Sequence, residues 1–312
     1  MSRHRASETR RREADRTELI ERLTQLLPET GVLEPVPGMR LRRESDQTEL
    51  GHGTSFPSFC VIAQGAKELR LGDRRFTYDV DSYLIASNTL PFASRVAEAT
   101  ADRPYLGVVI TLDPALVSAV IADSGLEASA RISEVTGMDT APLDDDLLDA
   151  VLRLVRLCDS PETIGVLAPL IQREIIFRLL IGGQGDRVRQ IAAMGEGSRI
   201  AEAIVRMRRD FAEPLRIEAL AADLGISVSS FHHRFKEATA MSPLQFHKQL
   251  RLQEARRLML GEQLDATTAG SRVGYADMAY FNRDYKRLFG APPIRDVHRL
   301  RQTSTETTAV NV

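Results

Sequence analysis

Two cysteines in 312 residues, Cys60 and Cys158, with no CxxC pair, leave no cysteine-based zinc finger and argue against a disulfide framework. Long apolar runs are missing as well. A stretch such as IIFRLLI at 175–181 is interrupted by arginine and falls far short of the roughly 20 apolar residues that a membrane span needs. The N-terminus, MSRHRASETRRREADR, has no apolar core and so does not read as a secretory signal; a cytoplasmic location without membrane attachment is the default expectation. Histidine is scarce too: residues 35–113 contain only His52. A metal-dependent β-domain enzyme normally needs two or three histidines and a carboxylate on neighbouring strands. The chain is therefore read as non-enzymatic and without a metal or cofactor, with cupin-type catalysis kept as an alternative.

What is present divides the chain in two. Residues 199–302 carry 18 Lys+Arg against 12 Asp+Glu, so a net +6 is hidden within an overall charge of -2. A basic module beside an acidic one suits a nucleic-acid binder with a separate control domain. Residues 1–18 are rich in Arg, Glu, Ser and Thr, and read as a disordered tail. A short helix is expected at 17–27. From 35 to 112 the texture changes to short strands: KELRLGDRRFTYD puts Leu69 and Leu71 on one face, turns at Gly72-Asp73 and returns with Phe76 and Tyr78. SYLIASN (82–88) and YLGVVITLD (105–113) are further strands, together suggesting a small antiparallel barrel or sandwich.

After Asp113 the periodicity becomes helical, with Asp113 as N-cap, Pro114 at the first position and Gly125 as the stop. Two further helices, at 143–161 and 163–181, have apolar stripes that could be buried internally or could form a homodimer interface. The glycines of GGQGD (182–186) follow no strand and match no phosphate loop, so 182–198 reads as a linker. The expected organisation is an effector and dimerisation domain over 19–181, a DNA-binding domain over 199–302 and a second disordered tail over 303–312.

Within the basic half, segment 214–243 matches segment 264–293 at an offset of 50 residues. Phe231 corresponds to Phe281, Phe235 to Tyr285, Lys236 to Lys286 and Pro243 to Pro293. Each copy has a small residue four places before a glycine, Ala221 with Gly225 and Gly270 with Gly274, which a helix-turn-helix needs for close helix approach and a left-handed turn. Ser227 and Asp277 then cap the second helices. Phe231 and Phe235 at i and i+4 face inward, as do Phe281 and Tyr285. The opposite stripes are Ser229, His232, His233 and Lys236 in the first copy, and Ala279, Asn282, Arg283 and Lys286 in the second. A stripe of hydrogen-bonding side chains that ends in lysine suits a helix in a major groove, although a solvated helix face would look similar in one copy alone. His232 and His233 project about 100° apart, so they do not chelate one ion together; as base readers they would make first-unit binding sensitive to pH. Between the copies, residues 243–263 form a long amphipathic helix that would hold the two units about one DNA turn, roughly 34 Å, apart.

The stretches IEALAADLGISVSSFHHRFK, LRLQEARRLML and RVGYADMAYFNRDYKRLFGAPP resemble the DNA-binding domain of the AraC/XylS family of transcription regulators over residues 200–300. PSFCVIAQGAKELRLGD, YLIASNTLPFASRV and RPYLGVVITLDPALV look like that family's N-terminal domain. The resemblance implies an α+β chain: a cupin-like β-barrel with flanking helices, then an all-α domain of two helix-turn-helix units joined by a long helix. It also implies promoter DNA, RNA polymerase and a small-molecule effector as partners, with activation the commoner mode. Carried over by position, Ser229, His232 and His233 fall at first-unit base contacts, and Met278, Ala279, Asn282 and Arg283 at second-unit ones. Lys236, Lys286 and Arg287 are the phosphate candidates. Two positions depart from the family: Ala240 stands where glycine is usual, and would be strained in a left-handed conformation, and Gly270 stands where alanine is usual. Cys60 reads either as a buried packing residue or as an electrophile sensor.

Overall fold

A computed structural model describes residues 2–126, 136–193 and 199–304. Among the described residues, ten strands form two antiparallel sheets. The larger sheet has the order β1 (Gly31–Val36), β2 (Met39–Glu44), β9 (Tyr105–Thr111), β4 (Ser58–Gln64), β7 (Ser82–Ala86) and β10 (Met138–Pro142). The smaller runs β3 (Gly51–Thr54), β8 (Pro91–Glu98), β5 (Ala66–Leu71) and β6 (Arg74–Tyr78). Strand β4 is apolar on both faces because both are covered. Cys60 and Ile62 face the other sheet, while Phe59, Val61 and Ala63 belong to a separate core beneath the helices.

That helical layer contains α1 (Ser2–Leu26), α2 (Pro114–Ser124), α3 (Asp145–Arg156), α4 (Pro161–Ile181) and α5 (Gly185–Ala193). Asp113 caps α2 by accepting from the Leu116 amide, with Gly125 left-handed at the far end. Two expectations are corrected. The sequence pattern predicts a disordered tail over 1–18, but α1 is helical from Ser2. Its charges find partners, Arg16 with Asp81 at 2.9 Å and Arg12 with Asp145 at 3.3 Å, and Leu19 and Leu23 are buried. The linker predicted over 182–198 is largely α5, because Val188 and Ile191 form a fully buried apolar edge. Residues 194–198 lie outside the described residues, as do 305–312 of the tail expected from 303; α12 (Pro293–Ser304) extends to Ser304.

The two candidate interface helices separate in role. In α3 the apolar stripe, Leu147, Leu148, Val151, Leu154 and Val155, is wholly internal. In α4 one face remains exposed, with Val166, Leu170, Phe177 and Ile181.

The C-terminal part is all-helical: α6 (Arg199–Arg209), α7 (Ile217–Asp223), α8 (Val228–Thr239), α9 (Pro243–Gly261), α10 (Ala266–Arg272), α11 (Met278–Phe289) and α12. Its first unit shares one continuous apolar cluster with the space between the sheets, from Leu71 and Phe76 through to Phe231, Phe235 and Phe246. The second unit has a core of its own around Phe281, Tyr285 and Phe289.

Candidate nucleic-acid interface

Each helix-turn-helix is closed by the residues that its sequence signature requires. Gly225 and Gly274 adopt φ of +64° and +87°, and a side chain at Gly274 would collide with the Ala212 carbonyl. Ala221 is buried in the first unit. At the matching Gly270, a Cβ would lie 3.1 Å from the Phe281 ring and 3.0 Å from Met278 Sδ, so the second pair of helices is packed too closely for an easy alanine. Ser227 accepts from the Ser230 amide, and Asp277 from those of Ala279 and Tyr280. Phe231, Phe235, Phe281 and Tyr285 are all fully buried, which fixes the rotation of α8 and α11.

That rotation exposes Ser229, His232, His233 and Lys236 on α8, and Ala279, Asn282, Arg283, Lys286 and Arg287 on α11. His233 Nε2 lies 3.2 Å from Glu237 Oε1. Arg287 pairs with Asp284 at 3.1 Å. Met278 is placed differently: it is half-buried against the second core and the α10 glycine, not on the open stripe. Tyr280, 59% exposed, lies with its ring 4.5 Å from the Arg283 guanidinium and steadies it. Its i, i+3 spacing from Arg283 was the available signal.

The two units are tied by Arg251 of α9, which donates to the carbonyls of Phe211, Ala212 and Glu213 on one side and of Gly274 on the other, at 2.7 to 3.1 Å. Helix α9 has 19 residues, about 28 Å of rigid spacer. Contacts also reach the β domain. Gln253 bonds Gly53 and Thr54 at 2.9 and 3.1 Å, the His52 ring meets Phe289 edge-on at 5.0 Å, and Arg299 pairs with Glu49.

Residues 35–187 match the family model described as the AraC-type transcriptional regulator N-terminus, and residues 220–298 match a helix-turn-helix domain model. The chain belongs to the AraC/XylS family. Among curated members, the transcriptional activator RhaS of Escherichia coli is 25% identical over 159 residues, covering 51% of this chain and 57% of RhaS. The match thus spans little more than half of that relative. Apo ToxT from Vibrio cholerae has the same fold, with a TM-score of 0.53 at 10% identity over 86% of this chain and 99% of its own. ToxT bound to an unsaturated fatty acid gives 0.51 at 11% identity, over 86% and 95%. As an AraC/XylS chain, this protein departs from its family at Ala240, which does take the left-handed conformation, φ 56° and ψ 19°, at the C-terminal cap of α8. Ala240→Gly should therefore raise stability by up to about 1 kcal/mol, measured as a shift of the denaturation midpoint at unchanged slope. An unchanged or lowered midpoint would show that no strain is stored there.

Proposed function

We propose that this chain is a cytoplasmic transcription regulator that grips promoter DNA with α8 and α11 in successive major grooves. What carries the reading is the pair of exposed stripes, equal in helical phase and fixed by buried aromatics in both units. His232, His233 and Ser229 read bases in the first unit, and Asn282 and Arg283 in the second, with Ala279 against a thymine methyl. Lys236, Lys286 and Arg287 hold phosphates. The similarity to RhaS, an activator, supports activation, with RNA polymerase as the partner that activation requires, and the fatty acid bound by ToxT supports a small-molecule effector, which is assigned to the N-terminal domain. The exposed face of α4 serves a homodimer. The thiol-sensor alternative is less favoured, because Cys60 is buried and desolvation pushes its thiol up, away from the reactive thiolate.

Arg283→Ala or His233→Ala should weaken binding to a selected cognate site by about 1–3 kcal/mol and relax preference at one base pair. Lys236→Ala and Lys286→Ala should weaken all sequences alike and lower the salt slope by about 1 each. Electrophoretic or anisotropy titrations across base-substituted sites and salt concentrations measure both. Equal, sequence-independent losses at all four positions would remove the assigned division between base and phosphate contacts.

A further inference from the structure

The smaller sheet ends in a turn that touches the first reading helix. Gly72, between β5 and β6, has φ +56° and lies so close to the end of α8 that a Cβ there would collide with the Ala240 carbonyl. The Gly137 amide, just before β10, donates to the Ala238 carbonyl at 2.8 Å. Beside these contacts is a cleft of about 350 Å³, lined by Asp73, Arg74 and Thr136 on the β side and by His233, Lys236 and Glu237 on α8. Arg74 donates to the Thr136 hydroxyl at 2.5 Å, and Glu237 is engaged by His233. Lys236, which is exposed, has no ion pair among the described residues.

The opposite face of the same hairpin carries an excess of arginine. Strand pairing places His52 of β3, Ala93 of β8, Arg70 of β5 and Arg75 of β6 in one cross-strand row. Arg70 and Arg75 therefore stand directly opposite each other, and like charges so placed are destabilising. In the next row Glu68 serves Arg70 at 3.0 Å and Arg95 at 2.6 Å, while the exposed Arg75 has no ion pair among the described residues. Row and cleft together bring Arg70, Arg74, Arg75, Arg95 and Lys236 against three carboxylates, those of Glu68, Asp73 and Glu237. The row also runs from one reading head towards the other. Its His52 end meets Phe289 of α11, one turn beyond Lys286, and its Arg75 end adjoins the turn beside α8.

Unanswered positive charge between two phosphate-binding lysines fits a polyanion that spans both units. We propose that the β5–β6 hairpin is a third DNA contact, with Arg74 and Arg75 holding phosphates of the backbone that runs between the grooves occupied by α8 and α11. This rests on the DNA-binding reading above and adds the β domain to its footprint. DNA affinity then depends on how the two domains are docked.

The test uses the full chain in anisotropy titrations of a selected site across a series of salt concentrations. Arg75→Ala should lower the salt slope by about 1, and the double variant with Arg74→Ala by about 2, with equal fractional losses on cognate and scrambled duplexes. Neutral methylphosphonates placed between the half-sites should weaken the parent and leave the double variant nearly unaffected. Arg75→Ala should melt no lower than the parent, because it removes the arginine that faces Arg70, so a lowered slope does not report unfolding. An unchanged slope in both arginine variants would overturn the contact. Tighter binding by them would overturn it too, since the hairpin would then stand in the way of DNA. Lys236→Ala and Lys286→Ala on the same duplexes separate the failures: slopes lowered in the lysine variants alone refute the hairpin contact, whereas no change in any variant overturns the helix reading with it.

Discussion

Asp296→Ala lowers stability by about 3–5 kcal/mol and abolishes DNA recognition by the second helix-turn-helix. The carboxylate of Asp296 is fully buried where α12 crosses α9 and α11. It accepts two hydrogen bonds from Arg256, at 2.8 and 2.9 Å, one from the Tyr285 hydroxyl at 2.9 Å and one from Arg299 at 3.1 Å. Truncation leaves Arg256, itself mostly buried and stacked 4.4 Å over the Phe289 ring, as an uncompensated charge, and leaves Tyr285 without its acceptor. The cost is that of the orphaned partners, larger than the net contribution of the intact pair. Asp296→Asn keeps the shape and should cost less. Urea denaturation followed by circular dichroism measures both; a loss below about 1 kcal/mol for the alanine variant would show that Arg256 reaches other partners or water.

Phe235→Ala should cost about as much, 3–5 kcal/mol, but over a different part of the molecule. The Phe235 ring lies 5.4 Å from Phe231 and 5.3 Å from Phe246, fully buried, in the cluster that continues into the space between the sheets. The resulting cavity therefore weakens α8 and the β domain together, and the two should unfold in one earlier transition. The repeat-related Phe281→Ala should instead destabilise only the second unit, whose core is separate. Chymotryptic cleavage mapped by mass spectrometry distinguishes these outcomes: early cuts within 58–98 are expected in the first variant and not in the second. Identical cleavage patterns would contradict the division of the cores.

Local chemistry made the C-terminal half legible. A 50-residue repeat, two capping residues and two turn glycines fix helices, turns and phase by interactions that span a few residues. The positive φ of Ala240 could be anticipated for the same reason. The failures have long-range causes. Helix α1 looks like a solvated tail until Arg12 and Arg16 meet Asp145 and Asp81, which lie far along the chain. Helix α5 is a glycine-flanked fragment until Val188 and Ile191 find α2 and α4. Met278 occupies a reading position by alignment, yet the absence of a Cβ at Gly270 draws it inward.

The two helix-turn-helix units are fastened to the β domain by different kinds of bond, and solution conditions should therefore act on them separately. The first is joined through continuous apolar packing, which salt leaves almost untouched. The second is held by the exposed Arg299–Glu49 pair, by Gln253 against β3, and by the edge of His52, whose burial lowers its pKa to about 4. Ionic strength screens the exposed pair. A rise in salt thus loosens one reading head while the other stays fixed, so the same molecule becomes an asymmetric clamp whose distal jaw responds to the ionic medium.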